Sequence, residues 1–228
     1  MEKLSQILNV KNSLPDVSKY IQVQTIDFTK NEKIIKLAFL AAGKNLIGEK
    51  FTVLKDQSFV ISELLKYFTG NECIYDLNRG IYLFGIFGIG KSMLFEIIRK
   101  TISDLAEFDE FGKRVNPNGF LITSAEQIIE TYKQDGNLDY YGYRKESKPI
   151  HLLINEFGKR VNDKIYGTEA NELLNSLFMI RYELFQKGIL THVTSNAYPD
   201  KLDLQPILLE RAIEMFNFVE FNGESFRK

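Results

Sequence analysis

Between Gly85 and Ser92 the chain reads G-I-F-G-I-G-K-S, with an apolar run, "IYLF", just before it and "MLFEIIRKTISDLA" just after. Gly85, Gly90, Lys91 and Ser92 fit G-x-x-x-x-G-K-[ST], and this pattern constrains the fold more than any other stretch. Such a loop must point several backbone N–H groups into one concavity. Side chains would obstruct the approach, and some positions need unusual backbone angles, so glycine fits. The following helix adds unpaired N–H groups and the positive end of its dipole. The spacing implies a phosphate-binding stretch of Gly85, Ile86, Phe87, Gly88, Ile89, Gly90, Lys91, Ser92 and Met93. Lys91 would supply a point charge to the β and γ phosphates and the Ser92 hydroxyl would bind Mg²⁺. The plainer alternative is a glycine-rich turn with a solvated lysine.

Around this loop, strands alternate with helices. "GIYLFG" (80–85), "GFLIT" (119–123), "PIHLLIN" (149–155), "ILTHVTSN" (189–196) and "NFVEFNG" (217–223) read as strands. Between them, helical spacing predicts helices from Lys91, from a cap at Ser124, over 168–188, and over "DLQPILLERAIEMF". The alternation predicts an α/β fold with a parallel sheet covered on both faces, a three-layer P-loop NTPase architecture. Residues 1–50 read as a small helical N-terminal segment, broken at "SLPD" (13–16), with a helix starting at "TKNE" (Thr29 and Glu32 at capping-box spacing) and ending at Gly43. A further helix is expected over 58–68. The domain boundaries are therefore 1–50 for a helical segment and 51–228 for the nucleotide-binding domain.

The net charge of −1 conceals an asymmetry, because residues 1–55 hold nine lysines against five acidic residues. That basic part suits an acidic partner or nucleic acid, or is simply a solvated face. The single cysteine, Cys73, cannot form an internal disulfide, which suits a reducing compartment. "IIKLAFLAA" (34–42) is too short for a bilayer span, and the N-terminus lacks a secretory signal, so a soluble cytoplasmic protein without membrane contact is expected. His151 and His192 sit inside apolar strands and read as core residues. "DEFGKRVN" (109–116) is echoed by "NEFGKRVN" (155–162), but the flanks share no period. "YYGYRKESK" (140–148) interleaves aromatic and basic residues as a base-stacking loop would. A plain surface loop is preferred, since the charge is local and the chain is not basic overall.

A nucleotide hydrolase needs carboxylates near the metal and the γ-phosphate, at the end of a neighbouring apolar strand. "IHLLINEFG" supplies that strand. Glu156 falls where a carboxylate would polarise the attacking water. Asn155 falls where a metal-binding aspartate is expected, and its neutral amide would hold the metal shell less strongly. "FDEFGKR", from Phe108, is a decoy with no apolar strand before it. Asn196, at the end of "THVTSN", suits a γ-phosphate sensor, and Arg211 suits a charge presented to a neighbour's γ-phosphate. A strand-end turn and a solvated helical arginine are the ordinary readings of these two.

On "GIFGIGKS", "LLINEFG", "VTSN" and "LLERAIEMF...FNGESFR", taken in that order over roughly residues 50–228, the chain resembles the AAA+ ATPases. Within them it is similar to DnaC-like helicase loaders and IstB-like transposition ATPases. The resemblance implies ATP and Mg²⁺ as cofactors and assembly into a homo-oligomeric ring or spiral. It also implies delivery of a DNA-bound protein partner, such as a replicative helicase or a transposase, gripped by the N-terminal segment. DNA contact is possible. The catalytic set would be Glu156, Lys91, Asn196 and Arg211, with Ser92 and Asn155 at the metal. Two departures stand out: Asn155, and Met215 where such loaders often carry a second arginine; Arg227 would fill a further sensor role. Slow ATP turnover is the first expectation, a non-hydrolysing nucleotide-dependent adaptor the second, and a small-molecule P-loop kinase the third.

Overall fold

The computed structural model describes residues 27–105, 119–142, 150–157, 164–165, 168–199 and 206–223. The break at 13–16, the segment 109–116, most of 140–148 and Arg227 lie outside the described residues. Two helices, α1 (Phe28–Ile47) and α2 (Lys55–Phe68), lead into β1 (Gly80–Phe84) and α3 (Lys91–Asp104). Then follow β2 (Phe120–Ser124), α4 (Ala125–Asp135), β3 (His151–Asn155) and a small antiparallel pair, β4 (Lys164–Ile165) with β5 (Thr168–Glu169). The chain continues through α5 (Ala170–Phe185), β6 (Thr191–Ser195), α6 (Pro206–Met215) and β7 (Phe216–Glu220). The main sheet has the order β2-β3-β6-β1-β7 and every pairing in it is parallel. All five strands therefore end at one edge, and the strand before the glycine loop lies between β6 and β7.

Helices cover both faces, giving the expected three layers. One core packs Ile35, Phe39, Leu64, Phe68, Phe95 and Ile98 from α1, α2 and α3 against Ile81, Leu83 and Val219. The other packs Ile128, Leu177, Phe178 and Ala212 from α4, α5 and α6 against Tyr82, Leu152, Ile154 and Val193. Alternate residues of one strand thus serve opposite faces, as the two-residue period of a strand requires. The cap expected at Ser124 is present, and it is a full capping box: its hydroxyl accepts from Gln127 N, and the Gln127 side chain accepts from Ser124 N.

The N-terminal helices differ from the sequence reading in an instructive way. α1 starts two residues earlier than a Thr29 cap implies: Asp27 caps it, its carboxylate accepting from Lys30 N at 3.1 Å. It passes through Gly43 to Ile47 and ends at Gly48, at φ 112°. Gly43 is therefore not a stop signal. A Cβ there would lie 2.0 Å from the Phe51 ring, so this glycine lets the aromatic ring pack against the helix. α2 starts three residues before Ser58, whose hydroxyl donates to Lys55 O. Phe28, Ile35, Phe39 and Ala42 join the core of α3, so the described part of residues 1–50 shares the sheet's packing. Among the described residues, no helix is long and apolar enough to cross a membrane.

At the opposite edge of the sheet from the loop, both histidines complete backbone hydrogen bonding. His192 Nδ1 accepts from Ile81 N at 3.1 Å and His151 Nδ1 accepts from Leu190 N at 2.8 Å. Beside them the buried Arg181 donates to Thr191 Oγ1, Leu190 O, Ile150 O and Tyr141 O. Burial, reinforced by the Arg181 charge, pushes His151 down to about 4, and burial pushes His192 well below the ordinary value. Above the ordinary histidine range both states are neutral and neither histidine makes stability depend on pH. Below it the unfolded chain takes up protons that the folded chain refuses, so stability falls with pH. Denaturant titrations should show unfolding free energy dropping between pH 6.5 and 5 by about 1.4 kcal/mol per pH unit per histidine. His151→Gln, whose side-chain oxygen can still accept from Leu190 N, should halve that slope.

Candidate functional site

The site grows from the end of β1. Gly85 has φ 151°, and a Cβ on it would stand 2.2 Å from the carbonyl oxygen of Phe221, just past β7. Only a glycine lets the chain leave the sheet this close to its neighbour. Gly90, at φ 90° and ψ 17°, is the left-handed cap from which α3 starts, and it carries no side chain over the first N–H groups of that helix. Between them Ile86 and Phe87 are exposed and Ile89 is buried, so the loop is anchored by one side chain into the core.

Lys91 turns back into the loop. Its Nζ donates to Gly85 O at 2.8 Å, Ile86 O at 2.9 Å and Asn196 Oδ1 at 2.7 Å. Only 7% of the residue is exposed. Burial pushes its ammonium down to about 8, with the nearby Glu156 charge acting in the other direction. Asn196, just past the end of β6, is thus brought to the loop lysine. Ser92 follows on the first turn of α3 and, like Met93, lines the same cleft.

Strand β3 enters the site beside β6. Asn155 ends the strand, and its Oδ1 accepts from the Thr194 hydroxyl at 3.1 Å. Glu156 follows at φ 56°, and its backbone N donates to Thr194 Oγ1 at 3.1 Å. The cleft, of about 500 Å³, is lined on one side by Gly88 to Leu94 and on the other by Glu156, Thr194, Ser195 and Asn196. Asn155 and Arg211 are not among the lining residues. Arg211 lies over the Tyr182 ring, 4.7 Å from its centroid, and donates to Met179 Sδ.

The far end of the cleft was not foreseen. Phe39, Phe51, Thr52, Val53, Gln57 and Ile61, from the N-terminal helices and the link between them, form an apolar wall beyond the loop. Gln57 is 6% exposed, and its Nε2 has no hydrogen-bond partner among the described residues. The only sequence signal was the "KFTV" stretch between two helices, too short to reveal its long-range neighbours. The site thus has a cationic, N–H-rich end and an apolar end with a buried amide, which fits a nucleoside polyphosphate. Among the described residues, no three His, Cys, Asp or Glu side chains stand together to hold a metal. A Mg²⁺ brought by phosphates would need only one or two protein oxygens, and the Ser92 hydroxyl lies on the cleft where it could be one.

Gly85→Ala should destabilise the fold by about 2–4 kcal/mol, since the new methyl meets backbone and the backbone angle disfavours it. Urea unfolding of the variant checks this; an unchanged midpoint would mean that β7 does not crowd the loop.

No protein-family model matches the chain, and no curated protein matches it. Solved structures do. The replication initiator DnaA bound to AMPPCP and single-stranded DNA is similar with a TM-score of 0.53 and 17% identity, over 77% of this chain and 49% of that one. AMPPCP-bound DnaA from Aquifex aeolicus gives 0.50 and 16%, over 76% and 50%. Domain III of the Thermotoga maritima replication initiation protein DnaA gives 0.53 and 19%, over 76% and 65%. The chain spans about half the length of the first two. The glycine loop between β1 and α3, the all-parallel sheet and the flanking helices together share the fold of these DnaA structures, a three-layer P-loop α/β fold.

Proposed function

We propose that this chain binds ATP with Mg²⁺ in the cleft between the glycine loop and β6 and hydrolyses it slowly. The observation that carries the reading is the Lys91 ammonium, lodged between two loop carbonyls and Asn196 Oδ1, with Glu156 and Ser92 on the same cleft. A triphosphate would exchange those neutral acceptors for charged oxygens, which bind an ammonium more strongly. In this reading Gly85 to Met93 bind the phosphates, with the backbone of Ile86, Phe87, Gly88, Ile89 and Gly90 forming the concavity. Ser92 holds the metal; Asn155 would assist it weakly, and only by turning its side chain from Thr194 towards the cleft. Glu156 polarises the attacking water and Asn196 senses the γ-phosphate. The apolar wall of Phe51 and Val53 takes the base.

The bound state is then used to assemble copies of the chain and position a DNA-bound protein partner, in the cytoplasm, as in helicase loading or transposition. Arg211 would serve a neighbouring copy's nucleotide and would have to leave Tyr182 to do so. Residues 1–50 would grip the partner; on α1, the exposed Ile34 and Leu37 lie among Lys30, Lys33 and Lys36. The single-stranded DNA in the DnaA structure belongs to that protein; here DNA is reached through the partner. The non-hydrolysing adaptor keeps specific support, because the Asn155 oxygen is turned to Thr194.

Calorimetry with MgATP should detect binding, and Lys91→Ala should weaken it by about tenfold or more and abolish phosphate release. Asn155→Asp should raise turnover. Tight binding without phosphate release would favour the adaptor, and no uptake of any nucleotide would end both readings.

A further inference from the structure

Glu156 is the one non-glycine residue at positive φ among the described residues. A side chain with a Cβ rarely adopts this conformation, and it persists where the surroundings impose it. The surroundings here include Thr194 and Ser195 at the end of the neighbouring strand. Thr194 O accepts from Phe157 N at 2.9 Å, while Thr194 Oγ1 accepts from Glu156 N at 3.1 Å and donates its single proton to Asn155 Oδ1 at 3.1 Å. Ser195 Oγ closes the set by donating to Phe157 O at 2.8 Å. Thr194 and Ser195 are each 1% exposed.

The register shows why this is a device and not sheet continuation. β3 and β6 run in step through Leu152 with Thr191, Leu153 with His192, and Ile154 with Val193. The next step would set Asn155 beside Thr194. There the chain leaves the ladder, and the threonine side chain catches the amide that the turn would otherwise strand. A buried N–H without an acceptor is costly, so the hydroxyl makes the left-handed turn affordable.

We propose that Thr194 is the positioning residue for Glu156: its hydroxyl links the Glu156 amide to the Asn155 side chain and so holds the turn that keeps Glu156 on the cleft. The inference rests on the hydrolytic reading above and deepens it. It also gives Asn155 a task that a neutral side chain performs. The amide oxygen accepts the hydrogen bond from the threonine hydroxyl and fixes which way the hydroxyl lone pairs face, leaving one for Glu156 N. Asn155 then acts through Thr194 as the far link of a relay of hydrogen bonds that ends at the Glu156 backbone.

The test is Thr194→Val, which keeps the shape and removes the hydroxyl, beside Thr194→Ser, which keeps the hydroxyl. MgATP affinity, single-turnover phosphate release and circular dichroism are measured on the full chain. The expected result is a fall in phosphate release of tenfold or more for Thr194→Val, with affinity within about threefold of the parent, and recovery to within about threefold for Thr194→Ser. Parent-like turnover in Thr194→Val overturns the inference and leaves the hydrolytic reading standing. So does loss of affinity or of folded structure in step with turnover, or an equal defect in Thr194→Ser, since a merely structural role gives those. A parent chain that binds MgATP and releases no phosphate overturns the hydrolytic reading, and this inference with it.

Discussion

An ammonium buried at the carboxyl edge of a parallel sheet holds this site together. Lys91 belongs to α3 by sequence, yet its three acceptors come from the loop (Gly85 O, Ile86 O) and from the end of β6 (Asn196 Oδ1). Desolvation opposes that burial and pushes the group down to about 8, so the charge is kept by acceptors and by the Glu156 carboxylate nearby. These contacts require β6 to lie directly beside β1, and the strand order β3-β6-β1 supplies that. Insert any strand between β1 and β6 and Asn196 is about 5 Å further away, beyond reach of the same nitrogen. The topology and the chemistry are therefore one constraint seen twice.

What could be read from the sequence was whatever is local. The glycine pattern, the strand before it and the helix after it fixed the loop, because backbone angle and helix start are decided within a few residues. Ser124 announced its own cap for the same reason. Gly43 misled because a glycine near the end of a helical run reads as a stop, and only the tertiary contact with Phe51 shows that it is a space for a ring. Arg181 gave no signal at all. It is a charged residue in an apparently amphipathic helix, yet it is 1% exposed and donates to three backbone carbonyls and a threonine from separate segments. The same distance in sequence hid Thr194, whose importance lies in contacts 38 and 39 residues away.

The substitution at Asn155 reads differently once its partner is known. From sequence alone it is a lost charge where a metal-binding aspartate was expected. In the structure it is also an acceptor that sets the direction of a hydroxyl. An aspartate there would accept the same proton and bring a negative charge beside Glu156, so charge and geometry can be separated at this position. The departure thus weakens the case for strong metal binding without weakening the case for an ordered Glu156.

The N-terminal helices bind the two proposed roles of the chain to each other. Phe39 of α1 is buried in the core that holds Leu94 and Phe95 of α3, and it also lines the cleft whose other wall carries Lys91 and Ser92. Phe51, packed against Gly43, does the same from the link between α1 and α2. A ligand spanning the cleft therefore touches α1 at one end and the loop at the other. Any partner that shifts α1 changes the apolar wall the ligand sees, and by reciprocity the ligand changes how readily α1 shifts. Coupling of that kind needs no long pathway, because the helix that would carry the partner's load already lines the cleft proposed to take the nucleotide.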